Sequence, residues 1–121
     1  MDATELESRL DSRLMTRGLY LTSFARDEDG LHLAYETTAP GDGVPHREVG
    51  KVLTLLRDAR EEGWTVETVH GTVCDLDGET RGTWRAEGDW LRALVEEDIS
   101  EVEFSGRVLD TIEETPPRSG T

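Results

Sequence analysis

Leu6, Leu10 and Leu14 recur every fourth residue, which draws one apolar stripe along a helix. The motif Thr4-Glu5-Leu6-Glu7 before them predicts a capping box, with Thr4 as the cap and Glu7 reaching back. Gly18 is the expected stop. The period then changes to two. Tyr20, Thr22 and Phe24 alternate with Leu21, Ser23 and Ala25; after an Asp29-Gly30 turn, Leu31, Leu33 and Tyr35 alternate with His32, Ala34 and Glu36. This is a β-hairpin with one apolar face.

The stretch "APGDGVP" breaks the pattern as a loop, and Pro45 suits the first turn of a second helix. Val49, Val52, Leu53, Leu56 and Ala59 hold the 3.6 period up to Gly63. "WTVETVHGTVCD" reads as strand, but Val66 and Val69 have opposite parity, so a bulge or two short strands is expected. "LDGET" turns the chain and "RGTWRAE" returns as a strand carrying Trp84. "GDWLRALVEED" and "SEVEFSGRVLDTIEE" read as two closing helices, the second capped by Ser100 with Glu103.

The expected order is α-ββ-α-ββ-α-α. It predicts an α+β domain over 1–114, built on a mainly antiparallel four-stranded sheet with helices packed on one face. The halves 4–38 and 45–87 align loosely as a possible αββ repeat, and residues 115–121 read as a disordered tail. The uncovered sheet face would be half-polar.

Charge changes the picture most. The chain has 121 residues and a formal net charge of −14, and twelve of its thirteen basic residues are arginine, Lys51 being the exception. Such a surface repels phosphate backbones and anionic membranes, so neither nucleic acid nor a membrane is expected as a partner. It also repels itself, unless salt screens it. A salt-rich cytoplasm is therefore the expected environment, with an arginine-rich protein of an ordinary cytoplasm as the alternative. A single cysteine, Cys74, agrees with a reducing compartment. No signal peptide is legible, and no apolar run nears the roughly 20 residues that span a bilayer.

Candidate chemistry is thin. "DEDG" (27–30) and "DLDG" (75–78) each hold Asp-x-Asp-Gly, but both lie between strands and lack the bidentate glutamate of a calcium loop. They read as turns. His70 and Cys74 share a strand face, about 13 Å apart at 3.3 Å per residue, too far for one metal or for nucleophile activation. His32 and His46 complete the histidines, and no zinc set is expected. No phosphate loop, nucleophile elbow or zincin motif occurs. The prediction is no catalytic residue, no cofactor and no metal. Tyr20, Tyr35, Trp64, Trp84 and Trp90 are read first as core, and otherwise as a possible partner face.

The segments "RGLYLTSFARDEDGLHLAYET", "GVPHREVGKVLTLLRDAREEGW" and "EFSGRVLDTIEE" resemble small, acidic, uncharacterised proteins of haloarchaea. That resemblance implies a salt-rich cytoplasm and carries no functional residue. The element order is also similar to that of type III secretion chaperones, which implies binding of protein segments. The expected function is a non-enzymatic protein-interaction or regulatory module, with a protein partner or a homo-oligomer. The alternatives are a small-molecule-binding or enzymatic domain with a pocket between sheet and helices, and an acidic mimic of DNA.

Overall fold

A computed structural model describes residues 1–115. Helix α1 (Ala3–Met15) leads into strands β1 (Leu19–Asp27) and β2 (Gly30–Thr37). Helix α2 (His46–Glu61) crosses to β3 (Val69–Cys74) and β4 (Thr80–Ala86). Helices α3 (Gly88–Val95) and α4 (Glu101–Leu109) and a two-residue strand β5 (Glu113–Glu114) complete the described residues.

The α+β class stands, but the sheet differs from the expected one in two ways. It has five strands in the order β1-β2-β3-β4-β5, and it is mixed. The hairpins β1–β2 and β3–β4 are antiparallel, whereas β2 and β3 join in parallel, Leu31 opposite Val69 and Glu36 opposite Cys74. The reason is α2: a helix between two strands carries the chain back to the starting edge, so the next strand runs the same way. The fifth strand comes from a segment expected to be helix. Helix α4 ends at Leu109, and Glu113 and Glu114 then pair with Thr83 and Gly82. The tail expected over 115–121 lies outside the described residues from position 116 onward; Thr115 N–H itself donates to Arg81 O at 3.0 Å.

Alternation decides what is buried. Leu31, Leu33 and Tyr35 of β2, Val69 and Val73 of β3, and Trp84 and Ala86 of β4 enter one core. The helices supply Leu6, Leu10 and Leu14; Val49, Val52, Leu53, Leu56 and Ala59; Leu91 and Leu94; and Phe104 and Val108. The predicted stripes of α1 and α2 are thus the buried ones. Trp84 Nε1–H donates to the Tyr35 hydroxyl at 3.1 Å, so the polar atoms of two large core side chains satisfy each other.

The ends of the elements follow local chemistry. Asp2, rather than Thr4, caps α1, its carboxylate accepting from Glu5 N–H at 2.8 Å. Ser100 caps α4 through Glu103 N–H at 3.0 Å, where the sequence places it. Strand β3 begins at Val69; just before it, Thr68 O accepts from Leu31 N–H of β2 at 2.8 Å. Arg9 and Arg13 of α1 both pair with Glu62 beyond α2, and chiefly the Arg13 hydrogen bond holds the Glu62 carboxyl below its ordinary range. A bulge in β4 between its partners Val73 and Cys74 turns Arg81 inward. Its guanidinium donates to Gly43 O and Ala39 O, both at 2.8 Å, and so pins the "APGDGVP" loop to the sheet.

Both Asp-x-Asp-Gly stretches are hairpin turns. In the first, Glu28 and Asp29, both with negative φ, form the two-residue tip, so the turn is centred one residue earlier than the expected Asp29-Gly30. Gly30 opens β2 at φ 118°, and a Cβ there would stand 2.2 Å from Thr68 O. Asp27 accepts from Asp29 N–H at 2.8 Å. In the second turn, Asp75 accepts from Asp77 N–H at 2.9 Å and Glu79 N–H at 3.0 Å. These carboxylates hold their own turns.

Candidate functional site

With the helices gathered on one side, the other face of the sheet is left uncovered. Its residues are those of opposite parity: His32, Ala34 and Glu36 on β2, His70, Thr72 and Cys74 on β3, and Thr83 and Arg85 on β4. A β1 bulge between Leu21 and Ser23 adjusts that strand's facing, leaving Tyr20 paired with Glu36 and Ala25 with His32.

The centre of this face is a histidine pair. His32 and His70 are direct partners across the parallel ladder. Their rings stack with centroids 4.5 Å apart and an interplanar angle of 7°. His32 Nε2 lies 2.9 Å from Asp27 Oδ1, and His70 Nε2 lies 3.2 Å from Asp29 O. A carbonyl only accepts, so His70 carries its proton on Nε2; the Asp27 carboxylate asks the same of His32. In the neutral rings each Nδ1 is then the acceptor. Asp27 is held below the ordinary carboxyl range, first by the Asp29 N–H and next by His32. Arg85 extends the row beyond His70 and pairs with Glu87 at 2.6 Å.

Sequence reasoning missed this pair. It compared His70 with Cys74 along one strand, whereas the contact runs across two strands whose parallel register is a tertiary fact. The available signal was parity: each histidine sits between core-facing neighbours, Leu31 and Leu33 in one case, Val69 and Gly71 in the other. Cys74 is half-buried and burial pushes its thiol pKa up, away from the thiolate that chemistry would need. Among the described residues, no three His, Cys, Asp or Glu side chains converge as a metal-ligand set.

The five aromatic candidates fall in different places. Tyr20 is 43% exposed on the uncovered face. Trp90 is partly buried against the core. Tyr35, Trp64 and Trp84 are core residues. Burial raises the Tyr35 phenol far above its ordinary range, opposed in part by the Trp84 hydrogen bond. Trp64 Nε1–H donates to Glu67 at 3.1 Å, and Glu67 in turn takes both ends of the Arg26 guanidinium fork.

A family model matches residues 1–118, and it describes a domain of unknown function (DUF8159). No curated protein and no solved structure matches. Among the described residues, no helix is long and apolar enough to cross a membrane.

Proposed function

Because the chain belongs to this family of unknown function, we propose its role from its own geometry: a non-enzymatic interaction module of a salt-rich cytoplasm that docks a polypeptide on the uncovered face of its sheet. The observation that carries this is one-sided coverage. One parity of each central strand enters the core, while the other presents Tyr20, the stacked histidines, Thr72, Thr83 and Arg85. The acids at that face are few and half of them are paired: Asp27 meets His32 and Glu87 meets Arg85, with Glu36 toward one end of β2 and Glu113 on the short edge strand. On a chain of net charge −14, a broad face with few unpaired acids repels another acidic chain less than an acid-rich surface would. A second copy of this chain is the first occupant to test.

The alternative pocket between sheet and helices draws no support, since Tyr35 and Trp84 fill that layer together with Leu33 and Leu56. Sedimentation equilibrium in molar KCl tests the docking face. Self-association is expected, and Thr72→Arg, at the centre of the face, is expected to abolish it without changing the circular dichroism. A strictly monomeric protein that also retains no stoichiometric partner at native salt overturns the proposal.

A further inference from the structure

On the helical side of the molecule a groove of about 360 Å³ runs along α2 between the end of α1 and α4. Arg17, Arg47, Lys51 and Arg57 line it, with Gly50, Ser105 and one carboxylate, Glu101. Arg57 pairs with Glu101 at 2.7 Å. The other three cations form no ion pair among the described residues. That is unexpected where acids outnumber Lys and Arg 27 to 13. Elsewhere most of the described cations find carboxylates: Arg9 and Arg13 meet Glu62, Arg26 meets Glu67, and Arg107 meets Glu103, while Arg81 bonds backbone carbonyls and Arg60, outside this groove, forms no ion pair among the described residues.

The same stretch of α2 breaks three local rules. Arg47 sits in the first turn, where the helix dipole disfavours cations. Arg47 and Lys51 are like charges four apart, which destabilises a helix. Gly50 lies inside the helix, although a Cβ there would meet nothing within 4 Å, so packing does not require it. Local rules broken together, with no packing gain, mark a surface kept for a ligand. Bare backbone at Gly50 and the hydroxyl of Ser105 add small, polar walls.

We infer that this groove binds a small anion carrying two or more phosphoryl groups. Several cations around so small a volume match clustered negative charge, which a lone carboxylate lacks. Arginine supplies paired N–H donors to phosphoryl oxygens, and Lys51 a mobile point charge. The groove uses α1, α2 and α4, so this inference is independent of the open sheet face.

The test is an amide NMR titration of the full chain with inorganic pyrophosphate, in dilute buffer with trimethylamine N-oxide to hold the fold. Saturable shifts are expected at Gly50, Lys51, Thr54 and Ser105. Arg47→Gln and Lys51→Gln are each expected to weaken binding about tenfold, the loss of one charge-assisted contact. Arg60→Gln, on α2 but outside the groove, is expected to leave it unchanged. A parallel titration with ATP separates the sources: tighter binding than pyrophosphate identifies a nucleotide, equal or weaker binding a free polyphosphate. Absence of saturation, equal loss in Arg60→Gln, or displacement of pyrophosphate by an oligoglutamate peptide overturns the inference.

Discussion

The indole of Trp84 lies so close over Gly71 that a Cβ on that glycine would stand 2.2 Å from Trp84 Cε2. The two residues are partners across the β3–β4 ladder. Glycine is therefore what lets this large core side chain lie flat against the sheet and reach Tyr35. Gly71→Ala forces the ring or the strand to move, and overpacking of this kind costs about 1–3 kcal/mol. A urea melt at fixed salt is expected to show a lower midpoint with an unchanged slope.

Tyr35→Phe removes the acceptor of the Trp84 N–H and leaves that donor buried. The expected loss is about 1–3 kcal/mol in equilibrium unfolding. The phenol also sets an alkaline limit. Its pKa is raised in the folded state, mainly by burial, so the folded chain holds a proton that the unfolded chain releases. Stability is whole below the ordinary tyrosine range and falls as pH rises through and beyond it. In Tyr35→Phe that part of the alkaline decline is expected to disappear.

Glu97 follows α3 with φ 63°, the one non-glycine residue with positive φ among those described. Its position suits glycine, since a left-handed L-residue costs about 1–2 kcal/mol. Glu97→Gly is expected to raise stability by roughly 0.5–1 kcal/mol in denaturant unfolding, part of the gain being offset by unfolded-chain entropy.

Asp27 gives a pH prediction with the opposite sign. Its folded pKa is lowered by the Asp29 N–H and then by His32, so its contribution is present above the ordinary aspartate range and lost as pH falls through the folded value. The group is fully exposed, and the readout is therefore its own titration. Carboxyl NMR is expected to place Asp27 below an aspartate in a reference peptide, and His32→Ala to move it part of the way back.

Salt tests the environment. The Debye length shrinks from about 10 Å at 0.1 M to about 3 Å at 1 M, which removes most repulsion within a chain of net charge −14. The melting temperature is expected to climb with KCl across this range. A flat curve counts against a salt-rich setting.

What the sequence disclosed was what local physics controls. The stripes of α1 and α2, both hairpins, the Ser100 cap and the core role of Trp84 follow from periodicity and capping chemistry. The parallel seam between β2 and β3 depends on where α2 returns the chain, which no window of residues encodes. The His32–His70 stack depends on that seam, and so stayed hidden with it. The cationic groove needed three helices brought together; only the Arg47–Lys51 spacing was visible beforehand. Strand β5 is two glutamates joined to an edge by backbone bonds, and their side chains carry no strand preference.

The seam also orders the history of each molecule. Each hairpin can zip from its own tip, but joining them requires segments on either side of α2 to meet, a slower closure. Until then β2 and β3 each carry an unpaired edge, and two nascent chains offer each other the same complementary edges that one chain offers itself. Reciprocal exchange of hairpins between copies, with α2 as the hinge, is thus the characteristic misassembly of this topology. It would give a dimer that dilution does not readily dissolve, distinguishable by that slowness from one formed on the open face.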